Sequence, residues 1–180
     1  VVTGDDLSHR AAAFAGAREM FSGADFPPLD RVASINAYLG AFPIAAALSA
    51  GADIVITGRC VDSALALGAC IHAHGWGASD LDALAGGSLA GHLIECGPQA
   101  TGGNFTRWRE AGAPDAIGYP IAEVDADGGF SLGVAPGAGG GGIVAAAAEQ
   151  MLYEIGDPQA YALPDVICDF SGVRIAKDGA

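Results

Sequence analysis

Two stretches of the chain carry side chains whose types and spacing could do chemistry. In "GADIVITGRCVDSA" (51–64), the apolar run Ile54 to Ile56 stops at Thr57 and Gly58, and Arg59 and Asp62 follow. An ordinary turn into a helix accounts for Thr57, Gly58 and Asp62, as cap residues and a backbone position free to take positive φ. It does not account for Arg59, whose planar fork matches a carboxylate or a phosphate. Either Arg59 pairs with Asp62 or Asp5, or it holds an anionic ligand. In "GHLIECGPQATGGNF" (91–105), His92 and Glu95 stand three residues apart, which puts them on one helix face. Such a pair can give two metal ligands, although a single pair is a signal of low specificity. A polar helix end with internal hydrogen bonds is the plainer alternative. The following loop offers Gln99, Thr101 and Asn104 as donors and acceptors. Gly102 and Gly103 let its backbone approach a ligand, and its lack of charge fits an amide, hydroxyl or carbonyl group.

A third stretch, "PGAGGGGIVAAAAEQ" (136–150), leads glycines into a helix. Gly139, Gly140 and Gly141 would then offer backbone N–H groups to an anion at a helix N-terminus. It is not a P-loop, because the Lys-[Ser/Thr] is absent, and the G-x-G-x-x-G spacing of Gly137, Gly139 and Gly142 follows from composition. A flexible loop is the alternative. His72 and His74 point in different directions from a helix and read as surface residues. The four cysteines form no C-x-x-C pair and fit no zinc module, so they read as small buried residues of a reducing cytoplasm.

The elements needed to position these groups are legible as a pattern. Val1 and Val2, Ser34 to Tyr38, and "ADIVIT" read as strands. "HRAAAFAGAREMF", "AFPIAAALSAG" and "VDSALALGACIHAHG" read as helices, with Pro43 in a first turn, Asp62 as an N-cap, and Gly51 and Gly75 as stops. Strands alternating with helices predict an α/β fold: a parallel, Rossmann-like sheet with crossover helices in the first half. The run Ile54 to Ile56 lacks alternation, as strands buried on both faces do. Ligands of such sheets bind at the carboxyl ends of the strands, which gathers Asp5, Asp6, Asn36, Thr57, Gly58, Arg59 and Asp62. The second half differs. It predicts a smaller α+β lobe with a β-hairpin around Asp127-Gly128-Gly129, a late helix "IVAAAAEQMLYEIG", and a final strand in "PDVICDFSGV". The expected division is residues 1–85 as part of the parallel domain and 86–180 packed on it as one fused unit.

Composition narrows the function. The chain has 180 residues, 51% of them hydrophobic, which allows a substantial core. Its net charge is −13 and it has eight Lys and Arg, Lys177 being the lysine among them. That balance argues against nucleic acid and against an anionic membrane surface as partners. No apolar stretch approaches the roughly 20 residues of a membrane helix, and the start has neither a Met nor the pattern of a signal peptide. The chain reads as an internal, cytoplasmic portion of something longer.

Several stretches, in matching order, resemble the acyclic terpene utilisation protein AtuA family. They are "INAYLGAFPIAAALSAGADIVITGRCVDSALALGACIHAHGW", "LAGHLIECGPQATGGNF", "YPIAEVDADG", "AEQMLYEIGDPQAY" and "PDVICDFSGV". The most specific are "GADIVITGR" and "ECGPQATGGNF". The resemblance implies a role in catabolism of acyclic terpenoids or branched acyl chains, with an acyl-CoA or acid as the small-molecule substrate and coenzyme A present as part of it. By analogy with pathway neighbours, it implies a hydratase- or dehydratase-type step. The alternative is a non-catalytic acyl-CoA-binding or scaffolding subunit. In the enzyme reading, Asp5, Asp6 or Glu95 transfers the proton, provided burial raises a carboxylate toward neutrality. Asn36, Thr57, Gly58, Arg59 and Asp62 would then face Gln99, Thr101, Gly102, Gly103 and Asn104 across a cleft. A homo-oligomer is expected. Relatives carry bulkier polar residues where this chain has Ala138 to Gly142, which weakens the case for ligand contact there.

Overall fold

The computed structural model describes residues 1–140 and 144–177, and its helices follow local sequence signals closely. Helix α1 (Phe42–Ser49) is rich in alanine, carries Pro43 in its first turn, and stops before Gly51 at φ 86°. Helix α2 (Ala64–His74) ends at Gly75, a left-handed cap whose N–H donates to the Ile71 carbonyl. Helix α3 (Leu81–Glu95) follows the turn in which the Gly77 N–H donates to Asp80 Oδ2. Helix α4 (Val144–Leu152) is the late helix expected from "IVAAAAEQMLYEIG", but it ends at Leu152, before Gly156. The segment Ser8–Phe14 winds as a 3-10 helix rather than an α-helix, with no buried residue to anchor it. Asp62 is not the N-cap of α2: that position is Ser63, whose side chain makes no capping bond.

The parallel sheet expected in the first half does not form. Val2 meets Thr57 and Leu39 meets Cys60 in parallel, but each meeting is an isolated bridge with no ladder. The segment of Asn36 meets Asp6 antiparallel, against the expected order. The sheets among the described residues are two small antiparallel pairs. One pairs β1 (Pro120–Val124) with β2 (Phe130–Val134), and the other pairs β3 (Tyr161–Ala162) with β4 (Ile167–Cys168). The physical reason lies in the third run. A strand buried on both faces needs helices on both faces. Here Ile54 is 80% and Ile56 is 63% exposed while Val55 packs on the core, so the run is covered on one face only and bends at Asp53 and Ile54 instead of extending.

The β1–β2 hairpin is where expectation and structure agree. Its register pairs Val124 with Phe130, and the turn closes through the Gly128 N–H to the Asp125 carbonyl with Gly128 at φ 90°. The hairpin is docked on the helices. Trp76 Nε1 donates to the Ala126 carbonyl at 2.8 Å, and the His74 ring lies 5.1 Å from that of Trp76. At Gly86 of α3, a Cβ would collide with the Gly128 carbonyl. A Cβ on Gly128 would in turn reach the Cα of Ala83 at 2.6 Å. The two backbones touch because both positions are glycine.

One apolar cluster ties these elements together. It runs from Val2 through Ile44, Leu67, Trp76, Leu84 and Leu93 to Val166, Cys168 and Phe170. Burial pushes the Cys168 thiol up to about 11, so it is an inert core residue, and none of the cysteines is paired.

Candidate functional site

The three expected strand ends do come together in part. Asp5 is the hub. Its Oδ2 accepts from the Arg59 backbone N–H at 2.9 Å and from Asn36 Nδ2 at 2.9 Å, and Gly58 lies so close that a Cβ there would strike the carboxylate. These bonds, the one from the Arg59 backbone foremost, hold the Asp5 carboxyl below its ordinary range. Asp6 is likewise lowered by Ser8, whose N–H donates to it at 2.8 Å. Both aspartates are ionised near neutrality; Asp5 ties its loop to those of Asn36 and Arg59, and Asp6 bonds within its own turn. Neither carboxyl is raised toward neutrality. Arg59 does not pair with Asp5 through its guanidinium. That group lies 5.6 Å from the ring centre of Tyr38, and among the described residues it makes no ion pair. Thr57 Oγ1 sits 3.7 Å from Cys60 Sγ.

His92 and Glu95 form a buried pair. His92 Nδ1 lies 3.1 Å from Glu95 Oε1, and Nε2 lies 2.9 Å from the Gln150 backbone carbonyl. A carbonyl only accepts, so Nε2 carries a proton. Where Glu95 is ionised its carboxylate accepts as well, so Nδ1 then carries a second proton and His92 is an imidazolium held by Glu95. Burial opposes that charge. The Glu95 hydrogen bond and charge, the Gln150 carbonyl and the more distant Glu154 outweigh it, and the His92 pKa is raised. Gln150 completes the arrangement by donating from Nε2 to the His92 carbonyl at 3.0 Å, which binds α3 to α4 in both directions. Nearby, burial and then the charges of Glu95 and Glu154 raise the Tyr161 hydroxyl. No group of three or more His, Cys, Asp or Glu among the described residues could hold a metal ion. His92 and Glu95 pair within α3, and the bonds between His92 and Gln150 join α3 to α4.

The loop after α3 divides between two cavities. Thr101 is buried, donates from Oγ1 to the Pro98 and Gly118 carbonyls, and lines a groove of about 1100 Å³. Gln99 and Asn104 line a smaller cavity of about 390 Å³ on the α4 side. Gly102, at φ 116°, and Gly103, packed on Pro98, shape the turn between them. Neither cavity is lined by Asp5, Asn36, Arg59 or Asp62. The larger groove runs between α3 and the hairpin, over Leu89, Leu93, Phe130 and Leu132, to the extended segment that carries Arg174 and Lys177. Glu123 of β1 is the carboxylate on its wall.

Sequence reasoning missed Glu123, Arg174 and Lys177. The one available signal was that Arg174 and Lys177 are two of only eight cations, three residues apart. Two glycines of the stretch are engaged. The Gly139 N–H is already given to the Ala116 carbonyl, and Gly140 is pressed against the Thr101 carbonyl. Gly141 lies outside the described residues.

A family model described as "Acyclic terpene utilisation family protein AtuA" matches residues 1–180. The chain belongs to the AtuA family. No curated protein and no solved structure matches it. The family description associates this AtuA chain with acyclic terpene utilisation, and among its described residues no helix is long and apolar enough to cross a membrane.

Proposed function

We propose that this AtuA chain binds an amphipathic acid, or its CoA thioester, from acyclic terpenoid or branched-chain acyl catabolism. The groove is the observation that carries this reading. Its walls are largely aliphatic and aromatic, it is large enough for a branched chain, and its edge holds Arg174 and Lys177 in an otherwise acidic protein. Apolar walls with a few charged groups at one end are what an acyl chain with an anionic head requires.

A hydratase- or dehydratase-type step on the bound thioester is the second reading. Glu123, an exposed carboxylate on the groove wall, is the residue this reading assigns to proton transfer, on its place beside the ligand and not on burial. Otherwise the chain is a non-catalytic subunit that holds the acyl ligand for a partner enzyme. Replacing both Arg174 and Lys177 with alanine is expected to weaken a methyl-branched medium-chain acyl-CoA by about 1 to 3 kcal/mol, the range for lost charge-assisted bonds. Calorimetric titration of the folded double variant checks this, and unchanged affinity would sink the groove as the site. Glu123→Gln separates the two readings, because an enzyme loses turnover with affinity kept, and a binding subunit loses neither.

A further inference from the structure

The stretch from residue 7 to residue 35 is ordered but has no core. None of its residues is buried, and neither of its 3-10 turns, Ser8–Phe14 and Leu29–Arg31, anchors a side chain in the interior. Its two ends meet: the Leu7 N–H donates to the Ile35 carbonyl at 2.8 Å, and the Ile35 N–H donates to Ser8 Oγ at 3.3 Å. Between them the Phe14 and Phe26 rings lie 6.4 Å apart. At the middle of the stretch is a tight hairpin. The Phe26 N–H donates to the Ala17 carbonyl and the Glu19 N–H to the Ala24 carbonyl. Arg18 Nη1 reaches Asp25 Oδ1 and the Gly23 carbonyl, each at 3.0 Å.

The turn of that hairpin carries Met20 and Phe21, which are 85% and 89% exposed. The turn is held in shape from within. The Glu19 carboxylate accepts from the N–H groups of Phe21 and Ser22, and Ser22 Oγ accepts from the Ala24 N–H. Two large apolar side chains therefore stand side by side in water on a fixed backbone. Fixing a backbone costs conformational entropy, which burial of apolar surface normally offsets. Within this stretch no burial offsets it, so the apolar turn calls for a surface outside the stretch.

Charge and length point to which surface. Residues 7–35 hold Arg10, Arg18 and Arg31 against Glu19, Asp25 and Asp30, a net charge of zero. The remaining five Lys and Arg stand against 18 Asp and Glu, so the rest of the chain carries the whole −13. Two such acidic bodies repel each other, and the neutral stretch is the part of one that can approach another. Arg10 and Arg31 are exposed and pair with no carboxylate among the described residues, which suits them to an acidic surface. A stable interface takes roughly 20 to 30 residues a side, the length of this stretch.

We infer that residues 7–35 form an assembly arm through which two copies of this chain bind each other. Each copy lays its arm on the acidic body of the other, with Met20 and Phe21 buried there, in a two-fold exchange. The arm is separate from the acyl groove and stands whether or not that groove binds acyl-CoA.

Sedimentation velocity of the intact protein, from about 1 to 100 μM, tests it. A dimer is expected. Met20→Ser together with Phe21→Ser should raise its dissociation constant by about tenfold or more. Both side chains are exposed, so the monomer does not need them to fold, and the circular dichroism spectrum should be unchanged. Arg10→Glu together with Arg31→Glu should weaken the dimer as well. A protein that stays monomeric over the whole range overturns the inference, whatever else covers the turn. A dimer indifferent to either pair of substitutions is held by another surface and overturns it too.

Discussion

Glu95→Ala is expected to destabilise the protein by about 3 kcal/mol at neutral pH and to invert the pH dependence of its stability. His92 is 4% exposed and its two ring nitrogens face a carboxylate and a carbonyl. With Glu95 gone, an imidazolium at this site has no countercharge, so His92 gives up its proton and the fold loses what the pair contributed. The sign follows from proton linkage. In the native protein the His92 pKa is raised, so the folded state holds its proton more tightly than the unfolded chain. The contribution to stability is full below the unfolded value of about 6.5 and is lost as pH rises through the raised folded value. In Glu95→Ala, burial is the largest remaining influence and lowers the pKa. Stability should then rise as pH climbs toward about 6.5. Urea denaturation of both proteins across that range measures the two slopes. Parallel slopes, or a loss below about 0.5 kcal/mol, would show that the pair contributes nothing beyond an ordinary surface contact.

Gly86→Val is expected to cost about 3 kcal/mol and to disturb the groove as well. The obstacle is backbone, not a side chain that can swing aside: the new Cβ meets the Gly128 carbonyl, with the Gly128 carbonyl carbon at 2.8 Å. The hairpin must move off α3, and the indole bond from Trp76 to Ala126 must stretch with it. The groove lies between those elements, so acyl-ligand affinity should fall together with stability. Gly133→Ala is the matched control. It sits in β2, and nothing lies within 4 Å of its added Cβ. A urea midpoint lowered for Gly86→Val and kept for Gly133→Ala checks the close approach. Two equal midpoints would refute it.

The candidate site was only half legible in the sequence. Asp5, Asn36, Gly58 and Arg59 were expected to meet, and they do, because Val2 and Leu39 both bridge to the segment that contains Thr57 and Cys60. Their meeting is structural in character: Asp5 binds backbone and amide N–H groups, while the Arg59 guanidinium rests on Tyr38. The groove was invisible because its parts are scattered, with Leu89, Phe130 and Arg174 contributed by a helix, a hairpin and a late extended segment. No local spacing links such positions. Gln150 carries no signal of its own in the sequence, and only the approach of α4 to α3 makes it a buried amide bonded to the His92 carbonyl.

What the sequence determined by itself was local. Pro43 and Gly51 bound α1, Gly75 stops α2, and Asp125 to Gly129 close the hairpin, because each signal acts through dihedral preferences and bonds within a few residues. It also determined membership of the AtuA family through order and motif. The tertiary structure alone decided whether the apolar runs became a sheet. A run such as Ile54 to Ile56 is compatible with a buried strand, but burial depends on what packs over it, and here both isoleucines face outward. Proton placement was decided there too. The same carboxylate chemistry leaves Asp5 held in its ionised form by N–H donors and joins Glu95 to an imidazolium, according to neighbours that lie far away in the chain.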